Sequence, residues 1–419
     1  MRHLIIILLP ILLFFSFSQT SAQEGSLYLT NFKHERAKKF QNWSIAQDKH
    51  NNMLFANRKG IMAYNGEEWN LVPTPSMPYI LLKDPETGRV YVGCSGDYGY
   101  LQMNNKGFYK YTSLSGDTIT PGDFTYIEHV DSVMYFMSEK YIARFDPVNM
   151  QHKKIWYAKE NYPFTEIINN QYNVFINVWN KGLHRLQSDT LFPIVSGFYV
   201  ENNEIIFSLP YNEDRIIVGT DDNKLRLFDG MKFYDFNIKE NNYLKESVVS
   251  GALHLSDSTF AVSTLAGGAI VIDKHKNEIK YTINYQTGLP DDEVFTLGLD
   301  NNNGLWISHD KGVSRADLGL PVKNFTTFPG VEGNINNVIE KDSTIYLASG
   351  EGLYFLTEEK EYQKKQITIK VKQPSRQEPK EEPEEKEKTE EEKPKRFVKK
   401  FFNKIFKSDE KEEEEEDIQ

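Results

Sequence analysis

Gly288-Leu289-Pro290-Asp291-Asp292-Glu293-Val294-Phe295-Thr296-Leu297-Gly298-Leu299-Asp300-Asn301-Asn302-Asn303-Gly304-Leu305-Trp306-Ile307-Ser308-His309-Asp310-Lys311-Gly312-Val313-Ser314-Arg315-Ala316-Asp317 is one complete turn-strand-turn-strand-turn-strand unit. Gly288 to Asp292 reads as a turn and Glu293 to Asp300 as a first strand. Asn301 to Gly304 turns the chain, Leu305 to Ser308 is a second strand, His309 to Gly312 a second hairpin, and Val313 to Ala316 a third strand. An outer strand is expected near Lys323 to Phe328.

The hairpin closing this unit recurs outward along the chain. Its turn residue falls at Gly60, Gly99, Lys140, Gly182, Lys224, Gly268, Gly312 and Gly352, with spacings of 39, 41, 42, 42, 44, 44 and 40 residues. Strand-rich units at this period predict the blades of a β-propeller, all-β, with seven or eight four-stranded blades. The second-strand slot holds unbroken apolar runs: Met53-Leu54-Phe55-Ala56, Val90-Tyr91-Val92-Gly93, Val133-Met134-Tyr135-Phe136, Val174-Phe175-Ile176, Ile216-Ile217-Val218-Gly219, Phe260-Ala261-Val262 and Ile345-Tyr346-Leu347. Runs without alternation suit strands covered on both faces by neighbouring sheets. Leu27-Tyr28-Leu29 is placed to lend a strand that closes the ring from the other terminus.

Composition narrows the function. The chain has 419 residues and a formal charge of −11, which argues against a nucleic-acid partner, because phosphate binding needs a basic footprint. Cys94 is the one cysteine, so neither an intrachain disulfide nor a multi-cysteine metal site is available. Residues 1–22 have a short basic start (Arg2, His3), an apolar run from Leu4 to Phe17 and small residues at Thr20-Ser21-Ala22, the pattern of a secretory signal. The expected location is across the inner membrane, in the periplasm or at the cell surface. The propeller is expected over 23–372. Residues 373–394, almost wholly Glu, Lys and Pro, are expected to be a disordered linker within a charged C-terminal tail. Residues 395–407 place Phe397, Phe401 and Ile405 one turn apart among basic residues, a basic amphipathic helix suited to membrane-surface or partner contact, and 408–419 form an acidic tail.

No phosphate loop, zinc-protease motif or calcium loop occurs, and no catalytic residue, metal or cofactor is expected. Asp221-Asp222-Asn223 reads as turn chemistry. Ligands of a propeller meet the face built from the loops entering the inner strands and the hairpins between second and third strands. That face is expected to gather Arg58, Asp97, Tyr98, Trp179, Asn180, Asp221, Asp222, His309 and Asp310, with Tyr79, Tyr126, Tyr199, Tyr243 and Asp292 from the entering loops. The seven chosen as ligand-binding candidates are Arg58, Tyr98, Trp179, Asp221, Asp222, His309 and Asp310. Trp306 sits in a second strand and is expected to be blade packing.

Gly288-Leu289-Pro290, Asp300, Gly304-Leu305-Trp306-Ile307, Lys311-Gly312-Val313-Ser314-Arg315 and Asp317 together resemble the two-component-regulator propeller repeat. Lys181-Gly182-Leu183-His184-Arg185, Asn223-Lys224-Leu225-Arg226 and Glu351-Gly352-Leu353 are weaker copies. The resemblance covers Asn42 to Leu356 and implies an extracytoplasmic sensor propeller of bacterial hybrid signalling proteins. Such propellers precede a Tyr-rich sandwich, a membrane helix and an output domain; here charged segments follow the last repeat instead. The expectation is an exported, non-catalytic binding module for a glycan, a peptide or an envelope protein. A glycan lyase or hydrolase on the same scaffold, or an envelope-assembly protein, are the alternatives.

Overall fold

A computed structural model describes residues 26–32, 41–116, 122–170, 173–194, 203–324, 331–342 and 344–355. The leader, the 373–394 linker, the 395–407 helix, the acidic tail and Tyr199 lie outside the described residues.

Two short strands, β1 (Ser26–Leu27) and β2 (Leu29–Phe32), precede the repeats. The first blade is β3 (Asn42–Gln47), β4 (Met53–Asn57), β5 (Gly60–Tyr64) and β6 (Trp69–Val72). The second is β7 (Pro78–Lys83), β8 (Val90–Cys94), β9 (Asp97–Met103) and β10 (Tyr109–Ser113). The third is β11 (Tyr126–Val130), β12 (Val133–Met137), β13 (Tyr141–Asp146) and β14 (Gln151–Tyr157). The fourth is β15 (Phe164–Asn169), β16 (Val174–Val178), β17 (Gly182–Gln187) and β18 (Thr190–Pro193). The fifth is β19 (Ile205–Pro210), β20 (Ile216–Thr220), β21 (Leu225–Phe228) and β22 (Phe233–Phe236). A short helix, α1 (Asn241–Ser247), leads into the sixth: β23 (Val249–His254), β24 (Thr259–Thr264), β25 (Ala269–Asp273) and β26 (Glu278–Ile283). The seventh has β27 (Val294–Leu299), β28 (Gly304–His309) and β29 (Gly312–Asp317).

Each of the first six is an antiparallel four-stranded meander, and the seventh takes its fourth strand from the other end of the chain. Strand β2 pairs antiparallel with β29, Leu29 opposite Ala316 and Phe32 opposite Val313. The outer strand expected near Lys323 to Phe328 is therefore not used: β30 (Lys323–Asn324) pairs instead with β1. There are seven blades. The eighth hairpin, at Gly352, belongs to a second compact unit, a three-stranded sheet of β31 (Ile335–Lys341), β32 (Thr344–Ser349) and β33 (Leu353–Phe355).

Burial explains the composition of the strands. The second strands β4, β8, β16 and β20 are buried at every position, whereas the outer strand β14 is mostly exposed. Seven apolar clusters account for the core of the described residues, one between each pair of neighbouring blades. Leu54 meets Val92 across the first seam, and Phe55 meets Trp306 across the seam that closes the ring. Trp306 is blade packing, as its position in the strand implies. Inner strands of adjacent blades lie side by side, and β27 lies beside β3. At Gly298 of β27 an added Cβ would stand 2.4 Å from Ile45 Cγ2 of β3. Gly298→Ala is expected to destabilise the ring by about 1–3 kcal/mol, measured by urea unfolding.

One end of the ring is built on a repeated device. Between first and second strands, Asp48, Asp84, Asn170, Asn212 and Asp300 each accept backbone N–H groups of their own turn. Between third and fourth strands, Asn65, Asn104, Asp146, Asp229 and Asp273 do the same. Short side-chain carbonyls mimic the backbone acceptor of a tight turn, which is why Asp and Asn recur there. In the seventh blade the device is extended. Asp300 accepts from Gly304 N (2.8 Å), Trp306 Nε1 (2.8 Å) and Arg315 Nε (2.7 Å), and Arg315 Nη1 donates to Asp317 at 2.7 Å. The Asp, Gly-Leu-Trp, Arg and Asp of the opening stretch are thus one structural staple.

Candidate functional site

The opposite end of the ring carries the entries to the inner strands. In six blades the inner strand has a β-bulge after its first residue, and Trp43, Tyr79, Thr165, Ile206, Ser250 and Phe295 are the inserted residues at which the register shifts. A bulge inserts one residue and re-aims its side chain. In the third blade Tyr126 occupies the matching register without an extra residue.

Five of the bulged side chains and Tyr126 line one cavity, the central channel, of about 600 Å³. Trp43, Tyr79, Tyr126 and Phe295 make its mouth aromatic over four consecutive blades, with Trp43 and Phe295 ring centroids 6.2 Å apart. Tyr79 leans on the Asp123 carboxylate; burial, and then that carboxylate, push its phenol above the usual tyrosine range. Ser95 Oγ donates to the same Asp123 at 2.7 Å.

Further channel-lining residues stand at the third position from the end of five inner strands. They are Ile45, Leu81, Ala252 and Leu297 and, in the third blade, Glu128. Glu128 is the one carboxylate among the described residues of the channel wall, and Lys83, at the end of β7, the one cation. Asn169 Nδ2 donates to Glu128 Oε2 at 3.0 Å. Burial pushes the Glu128 carboxyl up to about 7, against the downward pull of the Asn169 amide. Hydroxyls nearby are engaged by the scaffold: Ser44 Oγ donates to Leu81 O, and Ser250 Oγ to Val294 O.

The residues chosen from sequence fall elsewhere. Among the described residues none of Arg58, Tyr98, Trp179, Asp221, Asp222, His309 and Asp310 lines the channel. Tyr98 is fully enclosed, stacked on Phe136 at 4.6 Å and bonded to His152 Nε2 at 2.7 Å. The hairpin turns at Ser95-Gly96, three residues before the Gly99 read from the repeat, so Gly99 and Tyr98 are already inside β9. His309 is the last residue of β28 and also buried, its Nε2 2.9 Å from Ser314 Oγ; burial lowers its pKa to about 4, so it is neutral. Neither offers an atom to a ligand on that face. Asp222 is held by Arg226 Nη2 at 2.8 Å and Lys224 Nζ at 3.1 Å. Burial opposes its ionisation, but Arg226, Thr220 and Lys224 prevail and its pKa is depressed. Asp221 instead has a raised pKa, from burial first and Asp222 next. Arg58, Asn180 and Asp310 are exposed on their hairpins and Trp179 is half-buried. Asp97 accepts from Tyr111, Ser113 and Ser115. Tyr243 donates to Gly267 O, and Asp292 accepts from Tyr285 N. Of the entering-loop residues, Tyr79 and Tyr126 do reach the channel. Trp43, Phe295 and Glu128 were not singled out for that site.

No family model matches the chain, and no curated protein matches it by sequence. Solved structures do match its backbone. The extracellular domain assigned to the hybrid two-component system BT3049 of B. thetaiotaomicron aligns with a TM-score of 0.58 at 14% identity, covering 79% of this chain and 48% of that one. The corresponding domain of BT4673 from the same organism aligns at 0.54 and 13%, covering 79% and 46%. The chain shares its fold with extracellular sensor propellers. It spans about half the length of those domains. Virginiamycin B lyase from Staphylococcus aureus also aligns, at 0.50 and 14% identity, over 70% of this chain and 100% of that one. At such identities the likeness is one of fold, and a fold hosts many functions. Among the described residues no helix is long and apolar enough to cross a membrane.

Proposed function

We propose that the chain is an extracytoplasmic ligand-recognition module whose channel mouth receives a glycan fragment or a peptide. The reading is carried by the convergence of Trp43, Tyr79, Tyr126 and Phe295 on one cavity. Aromatic faces at the rim of a concave, partly apolar site are a common basis for holding flat sugar or side-chain surfaces. The fold shared with extracellular sensor domains supports a sensory use of that binding.

Glycan and peptide arrays probed with the purified chain test this reading. A retained ligand is expected to lose about tenfold or more in affinity on Trp43→Ala or Tyr79→Ala, as central aromatic anchors do. Melting temperatures should stay close to wild type, because neither Trp43 nor Tyr79 belongs to the apolar clusters of the seams. Retention indifferent to both substitutions, or no retention at all, defeats the proposal. Turnover of a retained polysaccharide would favour the lyase or hydrolase alternative.

A further inference from the structure

We infer that the channel selects a ligand that carries a primary ammonium group beside a flat, stackable body, the ammonium meeting Glu128. The inference rests on the proposed recognition at the channel mouth and adds the chemistry of what is recognised.

Glu128 is the one carboxylate among the described residues of a channel lining that is otherwise mostly apolar. A carboxylate there is costly to keep ionised unless a partner compensates it. The protein supplies only part of that compensation. Asn169 occupies Oε2, and among the described residues no donor meets Oε1 and no ion pair joins Glu128 to Lys83. Glu128 and Tyr126 are two residues apart on β11, so they share one face of the strand, and both line the channel. A ligand stacked at the mouth therefore extends toward the carboxylate. An ammonium group satisfies both parts of this arrangement, because it pairs with a carboxylate and is attracted to aromatic faces.

The group is also poised to respond. Its elevated pKa means that the empty channel holds Glu128 partly protonated near neutrality, and an arriving ammonium favours the ionised form, with the proton released to solvent. The other titratable groups around it are Tyr79 and Lys83 on β7, Tyr135 opposite on β12, Glu166 on β15, and Tyr126 and His129 on its own strand. His129 turns to the other face, toward Asp84 at 3.6 Å.

Calorimetry with the full chain tests the inference, using tyramine and a glucosamine trisaccharide, each beside its N-acetylated counterpart. At least one free amine is expected to bind, and to lose about tenfold or more on N-acetylation or on Glu128→Gln. For tyramine, whose amine stays charged throughout, binding is expected to be about tenfold weaker at pH 6 than at pH 8, and this dependence should vanish in E128Q. Binding of the trisaccharide alone assigns a glycan source, and binding of tyramine alone an aromatic amine source; both support the inference. Glu128→Gln keeps the shape of the side chain and an acceptor for Asn169, so a fold equal to wild type is expected by circular dichroism. Equal binding of acetylated and free forms, indifference to E128Q, or no amine binding overturns the inference. A neutral ligand that depends on Trp43 but not on Glu128 overturns it while leaving the recognition reading intact; no Trp43-dependent ligand of any kind defeats that reading itself.

Discussion

Deleting residues 26–32 is expected to abolish cooperative folding of the ring or lower its melting temperature by more than about 10 °C, read by calorimetry. The deletion removes the fourth strand of the seventh blade and leaves β29 as an open edge. It takes Leu27 from a buried cluster with Leu289 and Ile283, and Phe32 from its stack on Trp306, where the ring centroids are 5.0 Å apart. Loss of large apolar side chains of this kind costs about 2–5 kcal/mol each. Polar ties go as well: Ser314 Oγ donates to Asn31 Oδ1 at 2.7 Å, Asn31 Nδ2 to Gly288 O at 3.3 Å, and Asp317 N to Tyr28 O at 3.0 Å. A deletion that melts within about 3 °C of the full chain would show that the ring does not depend on this strand.

Asp300→Ala is expected to cost about 3–5 kcal/mol, the range for breaking a buried charged network from one side. The Trp306 indole N–H loses its acceptor inside the core, and Arg315 keeps only Asp317. Asp300→Asn should lose less, since its amide oxygen still accepts from the turn. Acid sensitivity supplies a second measurement. Burial would raise the Asp300 carboxyl, but Arg315, the Gly304 N–H and the Trp306 N–H outweigh it and hold the group below the usual carboxylate range. A depressed carboxyl contributes stability that is fully present above its unfolded value of about 3.9 and is lost as pH falls through the folded value. Wild-type stability should therefore fall below about pH 4 more steeply than that of D300N, measured by urea titration at stepped pH. Parallel curves would remove Asp300 from the account of acid stability.

Much of the ring was legible in the sequence because its period is carried by local chemistry. Turn glycines such as Gly182 and Gly312 sit at positive φ, and the second strands need unbroken apolar runs because both faces are covered. The closing strand was harder. Leu29-Thr30-Asn31-Phe32 has no distinctive pattern, and its partner lies far along the chain, so only the residues near Leu27 hinted at it. The eighth hairpin repeats the local pattern of a blade but belongs to a separate three-stranded sheet, which is why counting turns left seven and eight open. Site residues suffered most. A bulge has no signature of its own: Trp43 and Phe295 look like ordinary strand residues until the pairing shows one extra place. The hairpin was misplaced by three positions at Tyr98 and by one at His309, enough to move a side chain from rim to interior. Glu128 could have been noticed as a charge inside a run that otherwise reads as strand, but its place as the one carboxylate among the described residues of the channel wall emerges only when the inner strands are assembled.

The seventh blade also has a temporal consequence. Its fourth strand is synthesised before the other six blades and its third strand after them. A nascent chain emerging from the ribosome can assemble early sheets, yet it cannot seal the circle until Asp317 has appeared. Until then Leu27 and Phe32 have no seat, and the earliest strand of the ring must wait for the latest, so the circle closes only once its seventh blade has emerged.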